Sequence, residues 1–407
     1  HNTPLAEVAA PVVAPPCPHN LPAQVTRFIG REVELAALAD LLLPDKSPVR
    51  LLTLVGSPGV GKTRLALEAA ARLLPQQART FPDGIFFIDL APLATPDLVL
   101  PAIAQALKIR EKGHRPLETT LKEFLRHRHI LLLLDNWEHV VRAAPQVGEL
   151  LAAAPNLRVL ATSRIPLRLY YGEQEYSVEP LPVPSARTAC GDEPESAAAD
   201  LFVDRARARR PDFCLSASNR AAVAEICVHL GGLPLAIELA ASQIKTRPPA
   251  EILEVLKRHP AALSGGPVDW PARHRTLRRA LDWSCDLLAP GERSLLALLS
   301  LFVGGCTLPA AEAVCAPFYA GDVAAGLVVL VEHSLIWRGS QEGEPRFTML
   351  VPIREYARGR LERLGWREEA GRRYADYYAE LAETARLEWK GPRQAFWLKQ
   401  LRAEVDN

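Results

Sequence analysis

The chain has 407 residues, of which 48% are hydrophobic and 23% charged, and its formal net charge is +1. That length allows about two to four domains, the apolar share excludes a disordered chain, and the near-neutral charge gives no global electrostatic case for nucleic acid or an anionic membrane surface. No apolar run approaches the ~18 residues of a membrane span. The 7 cysteines are scattered without a C-x-x-C pair and the 10 histidines lack metal-ligand spacing, so the sequence points to reduced thiols in a cytoplasmic protein and away from a disulfide framework or zinc site. On the same grounds His127 and His129 read as solvated helix-end residues.

Residues 1–24 carry prolines at 4, 11, 15, 16, 18 and 22 among small residues and read as a linker. Met349 is the only methionine, so the chain reads as part of a longer one. Thr26 to Arg31 forms a short ordered opening before a helix over Val33 to Leu43 that Pro44 closes. Leu51 to Ala71 then gives a buried strand, a glycine-rich turn and a helix in immediate succession. Further short apolar strands are predicted at Gly84 to Leu90, Ile130 to Leu134 and Leu157 to Ala161, with helices at Leu98 to Leu107, Leu117 to Arg126 and Ala143 to Ala153 between them. Apolar strands alternating with helices predict a parallel sheet covered on both faces, with its ligand beyond the carboxyl ends of the strands. Prolines at 180, 182, 184 and 194 mark a boundary. After it come helical patterns at Ser196 to Arg209, Ala217 to Leu230, Ala236 to Ile244 and Glu251 to Lys257, with Gly231 to Leu235 as a break.

The turn at 56–63 carries the chemistry. Gly56, Gly61, Lys62 and Thr63 fill the fixed positions of G-x-x-x-x-G-K-[ST], with Ser57, Pro58, Gly59 and Val60 between them and Gly59 as an additional glycine. Glycines let successive backbone N–H groups approach phosphate oxygens, and the positive end of the following helix adds to the attraction. Lys62 would meet the β- and γ-phosphates and Thr63 would offer its hydroxyl to Mg²⁺. Asp135, at the tip of a separate aliphatic strand, matches the acid that helps hold Mg²⁺. Asn136 stands where a second acid would be adjacent, and Glu138 could orient a water, although spacing alone leaves that open. Arg164, at a third strand tip, is a candidate γ-phosphate contact.

Four stretches in fixed order, GSPGVGKT at 56–63, LLLLDN at 131–136, LATSR at 160–164 and GLPLA at 232–236, resemble the STAND class of P-loop ATPases in its NB-ARC-like branch. The resemblance runs from Phe28 over nearly the whole chain. It implies ATP or ADP with Mg²⁺ as cofactors, Arg31 of the opening FIGRE near the adenine, Pro234 packed on the base, and Arg164 as the sensor that distinguishes ATP from ADP. The implied architecture is an α/β P-loop nucleotide-binding domain with a parallel sheet (25–185), a helical domain (195–265), a winged-helix domain (266–362) and the start of a helical repeat region (363–407). Within the winged helix the patterns predict helices near Leu277 to Leu288, Gly291 to Leu301 and Leu327 to Leu335, then a hairpin around Gly343. Where relatives carry Met-His-Asp this chain has Met349, Leu350 and Val351, so the histidine that would contact ADP phosphate is missing.

The resemblance implies a signal-responsive switch that self-associates as a homo-oligomer with ATP bound and answers to an activating ligand or protein that the sequence does not identify. With one acid at the strand tip, hydrolysis is expected to be slow. A DNA-binding ATPase of the origin-recognition type is the alternative, with Arg273, Arg275, Arg278 and Arg279 on phosphates. No basic stripe continues into the hairpin, so those arginines read as a solvated face and DNA binding by this stretch is not expected. A phosphotransferase would need an acceptor site, of which no pattern is visible.

Overall fold

A computed structural model of the chain describes residues 18–76, 80–109, 115–169, 172–184, 196–258, 276–341, 344–389, 391 and 393–407. The first domain opens with α1 (Glu32–Leu42), then β1 (Leu51–Val55) and α2 (Lys62–Leu73) on either side of the glycine turn. Next come β2 (Gly84–Asp89), α3 (Val99–Ala106), α4 (Leu117–Leu125), β3 (Ile130–Asp135), α5 (Ala144–Ala153) and β4 (Arg158–Thr162). The sheet order is β2-β3-β4-β1-β5, all parallel, with β5 (Glu173–Ser177) on the edge beside β1.

Strand alternation separates two cores. Leu52, Leu54, Leu131, Leu133 and Leu160 face α1, α2 and the helices that follow the sheet. Leu51, Ile130, Leu132, Leu134, Val159 and Ala161 face α3, α4 and α5. Both faces are therefore dry, which is why β3 is aliphatic up to Asp135 at its tip. The strand β5 escaped sequence reading because EQEYS is polar and half exposed, as an edge strand tolerates. The N-terminal stretch read as linker is partly structured: Ile85 N–H donates to Pro18 O at 3.1 Å, and Asn20 exchanges two side-chain hydrogen bonds with the Phe87 backbone, extending the sheet past β2.

The helical domain comprises α6 (Ala197–Arg209), α7 (Arg220–His229), α8 (Pro234–Ser242) and α9 (Pro249–Arg258). The helix expected from Ala236 begins two residues earlier, because Pro234 sits in its first turn, where a missing N–H costs nothing. Gly232 has φ +67, and a Cβ there would lie 2.1 Å from Leu181 O. Gly232 of the break is thus required by backbone contact with the segment leaving the sheet.

After α10 (Leu277–Asp286) the winged helix consists of α11 (Pro290–Leu299), α12 (Leu308–Cys315), α13 (Val323–Glu332) and the antiparallel pair β6 (Trp337–Gln341) and β7 (Glu344–Thr348). Cys306 exchanges backbone hydrogen bonds with Phe347 and adds a bridge beside the pair. Sequence reading missed α12 and started α13 late, since the Ala-rich and Val-rich runs there have weak helical periodicity. The hairpin tip Gly343, Arg273 and Arg275 lie outside the described residues. The chain continues through α14 (Val351–Leu364), α15 (Arg367–Glu388) and α16 (Gln394–Ala403). These last helices close back on the winged helix: Arg346 of β7 makes a bidentate pair with Glu404 at 2.7 Å, buried on both sides, and Phe302 packs edge-on to Tyr374. Among the described residues, Cys227, Cys285, Cys306 and Cys315 are buried free thiols and Cys214 is exposed, while Cys17 and Cys190 lie outside them. Burial pushes Cys227 and Cys306 up to about 12, so they stay protonated and inert.

Candidate functional site

The turn at 56–63 and the tips of β3 and β4 meet at one end of the sheet, around a cavity of about 380 Å³, within the range of small-molecule sites. Arg31, Pro58, Gly59, Val60, Gly61, Lys62, Thr63, Arg164 and Pro234 line it, whereas Gly56, Ser57 and Asp135 lie behind that lining. The sequence-predicted residues are therefore brought together. Gly59 has φ +77, and a Cβ there would come 2.9 Å from Leu235 Cβ, so this additional glycine admits the helical domain against the loop. Leu235 N–H closes the contact by donating to Gly59 O at 3.2 Å. The start of α2 has no side-chain cap, which leaves its N–H groups directed at the cavity.

Lys62 folds over the loop and donates to Gly56 O at 2.6 Å and Ser57 O at 3.1 Å. Burial lowers its ammonium to about 8, against the opposing pull of Glu138 and then Asp135. Asp135 accepts from Thr63 Oγ1 at 2.7 Å, from Thr162 Oγ1, and from Asn136 Nδ2 at 2.7 Å. Burial still raises it to about 6, because those hydrogen bonds offset only part of the desolvation. Thr63 and Asp135 side by side fit Mg²⁺: they are hard oxygen donors, and a buried carboxylate held above its ordinary range gains most from a cation. Among the described residues no group of three His, Cys, Asp or Glu could cage a metal, so such an ion would take its other ligands from phosphates and water.

Arg164, expected as a sensor open to phosphate, is engaged instead with Glu138, Nε to Oε1 at 3.1 Å, with side chains 8% and 2% exposed. Arg31, in a left-handed conformation at φ 70, donates to Val60 O and Glu179 O, both at 2.9 Å. It thereby ties the phosphate loop to the segment leaving the sheet. At the helical-domain end, Phe28, Ile29, Leu181, Leu201 and Leu235 give an apolar wall. Its rim carries Arg205, paired with Glu238 at 2.9 Å and bonded to Arg27 O at 3.1 Å.

The winged helix reaches the phosphate end through the turn after α13. Ser57 Oγ donates to Ser334 O at 3.0 Å, Ser334 Oγ donates to Arg164 O at 3.2 Å, and Arg168 pairs with Glu332. His333 lies in the same turn, its imidazole pushed down by burial and by Arg164. Leu350, at the place of the missing histidine, packs on Gly231. Sequence reading missed Thr162, Arg205, Glu238, His333 and Ser334. Nothing in their local pattern marks them, since each acts through a partner distant in the chain.

The family described as AAA domain matches residues 46–171, and the family described as winged helix-turn-helix domain matches 288–362. Among curated proteins, Rv0890c of Mycobacterium tuberculosis, named as an HTH-type transcriptional regulator, is 37% identical over 88% of this chain and 39% of its own length. The regulatory protein AfsR of Streptomyces griseus is 31% identical over 95% of this chain and 38% of its own. This chain thus spans well under half the length of either regulator. The uncharacterized protein Rv0894 of M. tuberculosis is 32% identical over 92% of this chain and 91% of its own. Among solved structures, the Walker-type ATPase paby2304 of Pyrococcus abyssi is 14% identical, with a TM-score of 0.49 over 83% of this chain and 98% of that one. The STAND protein PH0952 of Pyrococcus horikoshii is 16% identical, with a TM-score of 0.29 over 94% of this chain and 48% of that one. The winged-helix match and the regulators' names weigh against the expectation that this stretch leaves DNA alone. With 91% of Rv0894 covered at 32% identity, the chain belongs to the family of that protein, and its own AAA-domain match is followed by its winged-helix match.

Proposed function

We infer that this chain is the nucleotide switch of a STAND-type signal-transduction regulator in the NB-ARC-like branch. It binds ATP or ADP with Mg²⁺, hydrolyses ATP slowly, and changes the seating of its winged helix, self-associating when ATP is bound. One observation carries the reading: a single turn of the winged helix, at Ser334, bonds both the phosphate loop at Ser57 and the backbone of Arg164. A ligand that displaces either group acts on the domain arrangement. Moving a two-state protein from 1:99 to 99:1 needs about 5.5 kcal/mol of differential binding, and one charge-assisted hydrogen bond supplies roughly 1.5–3 kcal/mol. Several γ-phosphate contacts, Mg²⁺ and repacking must therefore act together.

The experiment is the solution mass of the chain with ADP, ATP and a non-hydrolysable ATP analogue, with any co-purifying nucleotide identified. A mass that rises only with the triphosphates, and no longer rises in Lys62→Ala or Arg164→Ala, is the expected result. A monomer in every nucleotide state sinks the self-association. A second reading, contact with DNA through the winged helix, is favoured by the helix-turn-helix match at 288–362 and by the regulators' names.

A further inference from the structure

Glu138 owes its position to its neighbours. Asn136 turns the chain with φ 62, and residues 137–139 make one tight turn anchored on both sides. On one side Trp137 is fully buried; on the other, His139 Nε2 lies 3.0 Å from Leu90 O. Glu138, between these anchors, lines the cavity with Lys62, Thr63 and Arg164 and is 6% exposed. Its Oε1 faces Arg164 Nε at 3.1 Å, and its Oε2 is buried without a hydrogen-bond partner among the described residues. Of the carboxylates acting on the Lys62 ammonium, Glu138 acts more strongly than Asp135. The oxygens of Asp135 are committed to Thr63, Thr162 and Asn136, as suits a metal-holding acid. Glu238 and Glu34 are paired with Arg205 and Arg31. That leaves one carboxylate oxygen beside the lysine that meets the β- and γ-phosphates, with nothing to accept from.

We propose that Glu138 is the catalytic carboxylate that orients and deprotonates the attacking water in ATP hydrolysis, and that Arg164 restrains it until the γ-phosphate draws the arginine away. The proposal rests on the ATPase reading above. The water oxygen bonds to the γ-phosphorus as the bond from phosphorus to the β,γ-bridging oxygen breaks. The electron pair of that bond leaves with ADP, and the water proton passes to Glu138 Oε2 and then to the phosphate released. Two residues thus separate this base from the metal-holding acid, and the left-handed Asn136 between them folds the base back into the site. The restraint explains a slow rate without a defective site: the base becomes free only when the arginine has a phosphate to hold.

Glu138→Gln keeps the acceptor that Arg164 uses and removes the base, and Glu138→Asp keeps a carboxylate on a shorter arm. On the whole chain, Mg·ATP affinity is read by titration calorimetry and phosphate release by single-turnover kinetics. Glu138→Gln should bind Mg·ATP within about threefold of wild type and release phosphate at least about 100-fold more slowly, the scale of a lost general base. Glu138→Asp should lose less, and it carries the test if the amide variant fails to fold. A Glu138→Gln rate within about threefold of wild type overturns the proposal and leaves Glu138 as the structural counter-ion of Arg164. Weakened binding with an unchanged bound-state rate overturns it in the same way. If wild type itself binds Mg·ATP and releases no phosphate, the hydrolysis reading fails and takes the proposal with it, which is distinct from failure at Glu138 alone.

Discussion

At the proposed Mg²⁺ site, the protonation of Asp135 would make ion binding depend on pH. Its carboxyl titrates at about 6 in the folded, nucleotide-free chain, against an ordinary 3.8, and burial is the main cause. Between those values the native state holds a proton that the unfolded state has lost. Stability of the nucleotide-free chain therefore falls as pH rises through that window, by about 3 kcal/mol at 1.36 kcal/mol per unit, and levels off above pH 6. Mg²⁺ needs the ionised form, so it must displace the proton below pH 6 and finds the carboxylate free above it. The affinity gain that Mg²⁺ gives ATP should be flat from pH 6.5 to 7.5 and drop towards about tenfold per unit below 6. In Asp135→Asn the gain should vanish at every pH, and the drift in nucleotide-free stability with it. Calorimetric titration of ATP with and without Mg²⁺ at pH 5, 6 and 7 checks this; a gain that survives in Asp135→Asn, or ignores pH, removes Asp135 from the metal site.

At the scale of elements, the DNA reading turns on α13. It is the second helix of the helix-turn-helix pair, the one that enters the major groove in proteins that read DNA this way. Its sequence VAAGLVVLVE holds no lysine or arginine, Asp322 precedes it, and Val328 is 56% exposed. Its C-terminal end is already engaged with the nucleotide domain through Glu332. On β6, Arg338 is exposed, while Arg346 of β7 is buried against Glu404. No phosphate could be neutralised by α13 itself, whereas Arg278 and Arg279 of α10 and Arg338 of β6 are exposed cations, so the number of phosphates engaged decides the DNA reading, and a slope of log affinity against log salt shallower than about −2 would count against it. A slope of about −5 or steeper in a fluorescence titration would establish the DNA reading. The same elements show what was legible in the sequence. The phosphate loop, Asp135 and Arg164 could be read because a fixed turn or an aliphatic strand places them within a few residues. The strand β5 could not, being polar and recognisable only by its pairing with β1, and neither could α12. The partners of Arg164 and Arg205 are set by which helices cross in space, which no local period encodes.

For the whole molecule, the question is how firmly the winged helix is seated on the nucleotide domain. The turn at Ser334 supplies two neutral hydrogen bonds, worth about 0.5–1.5 kcal/mol each, and the Arg168–Glu332 pair, with Arg168 67% exposed, adds at most about 1 kcal/mol. This contact is therefore comparable to the few kcal/mol that nucleotide can supply, which is the balance the proposed switch requires. Ser334 has φ 54, a left-handed conformation that strains a β-branched residue by roughly 1–2 kcal/mol and costs glycine almost nothing. Ser334→Val adds that strain and loses the bond to Arg164 O, whereas Ser334→Gly loses the same bond and relieves strain. The valine variant should exchange amide hydrogens faster at both 163–168 and 332–336 and show a larger radius of gyration in solution scattering. The glycine variant should stay close to wild type in both. Simultaneous loosening of two segments so far apart in sequence would identify the turn as the hinge point between nucleotide and winged helix. Protection unchanged in the valine variant would mean that packing elsewhere, such as Leu350 on Gly231, holds the domains together, and that nucleotide must act on that contact to move them.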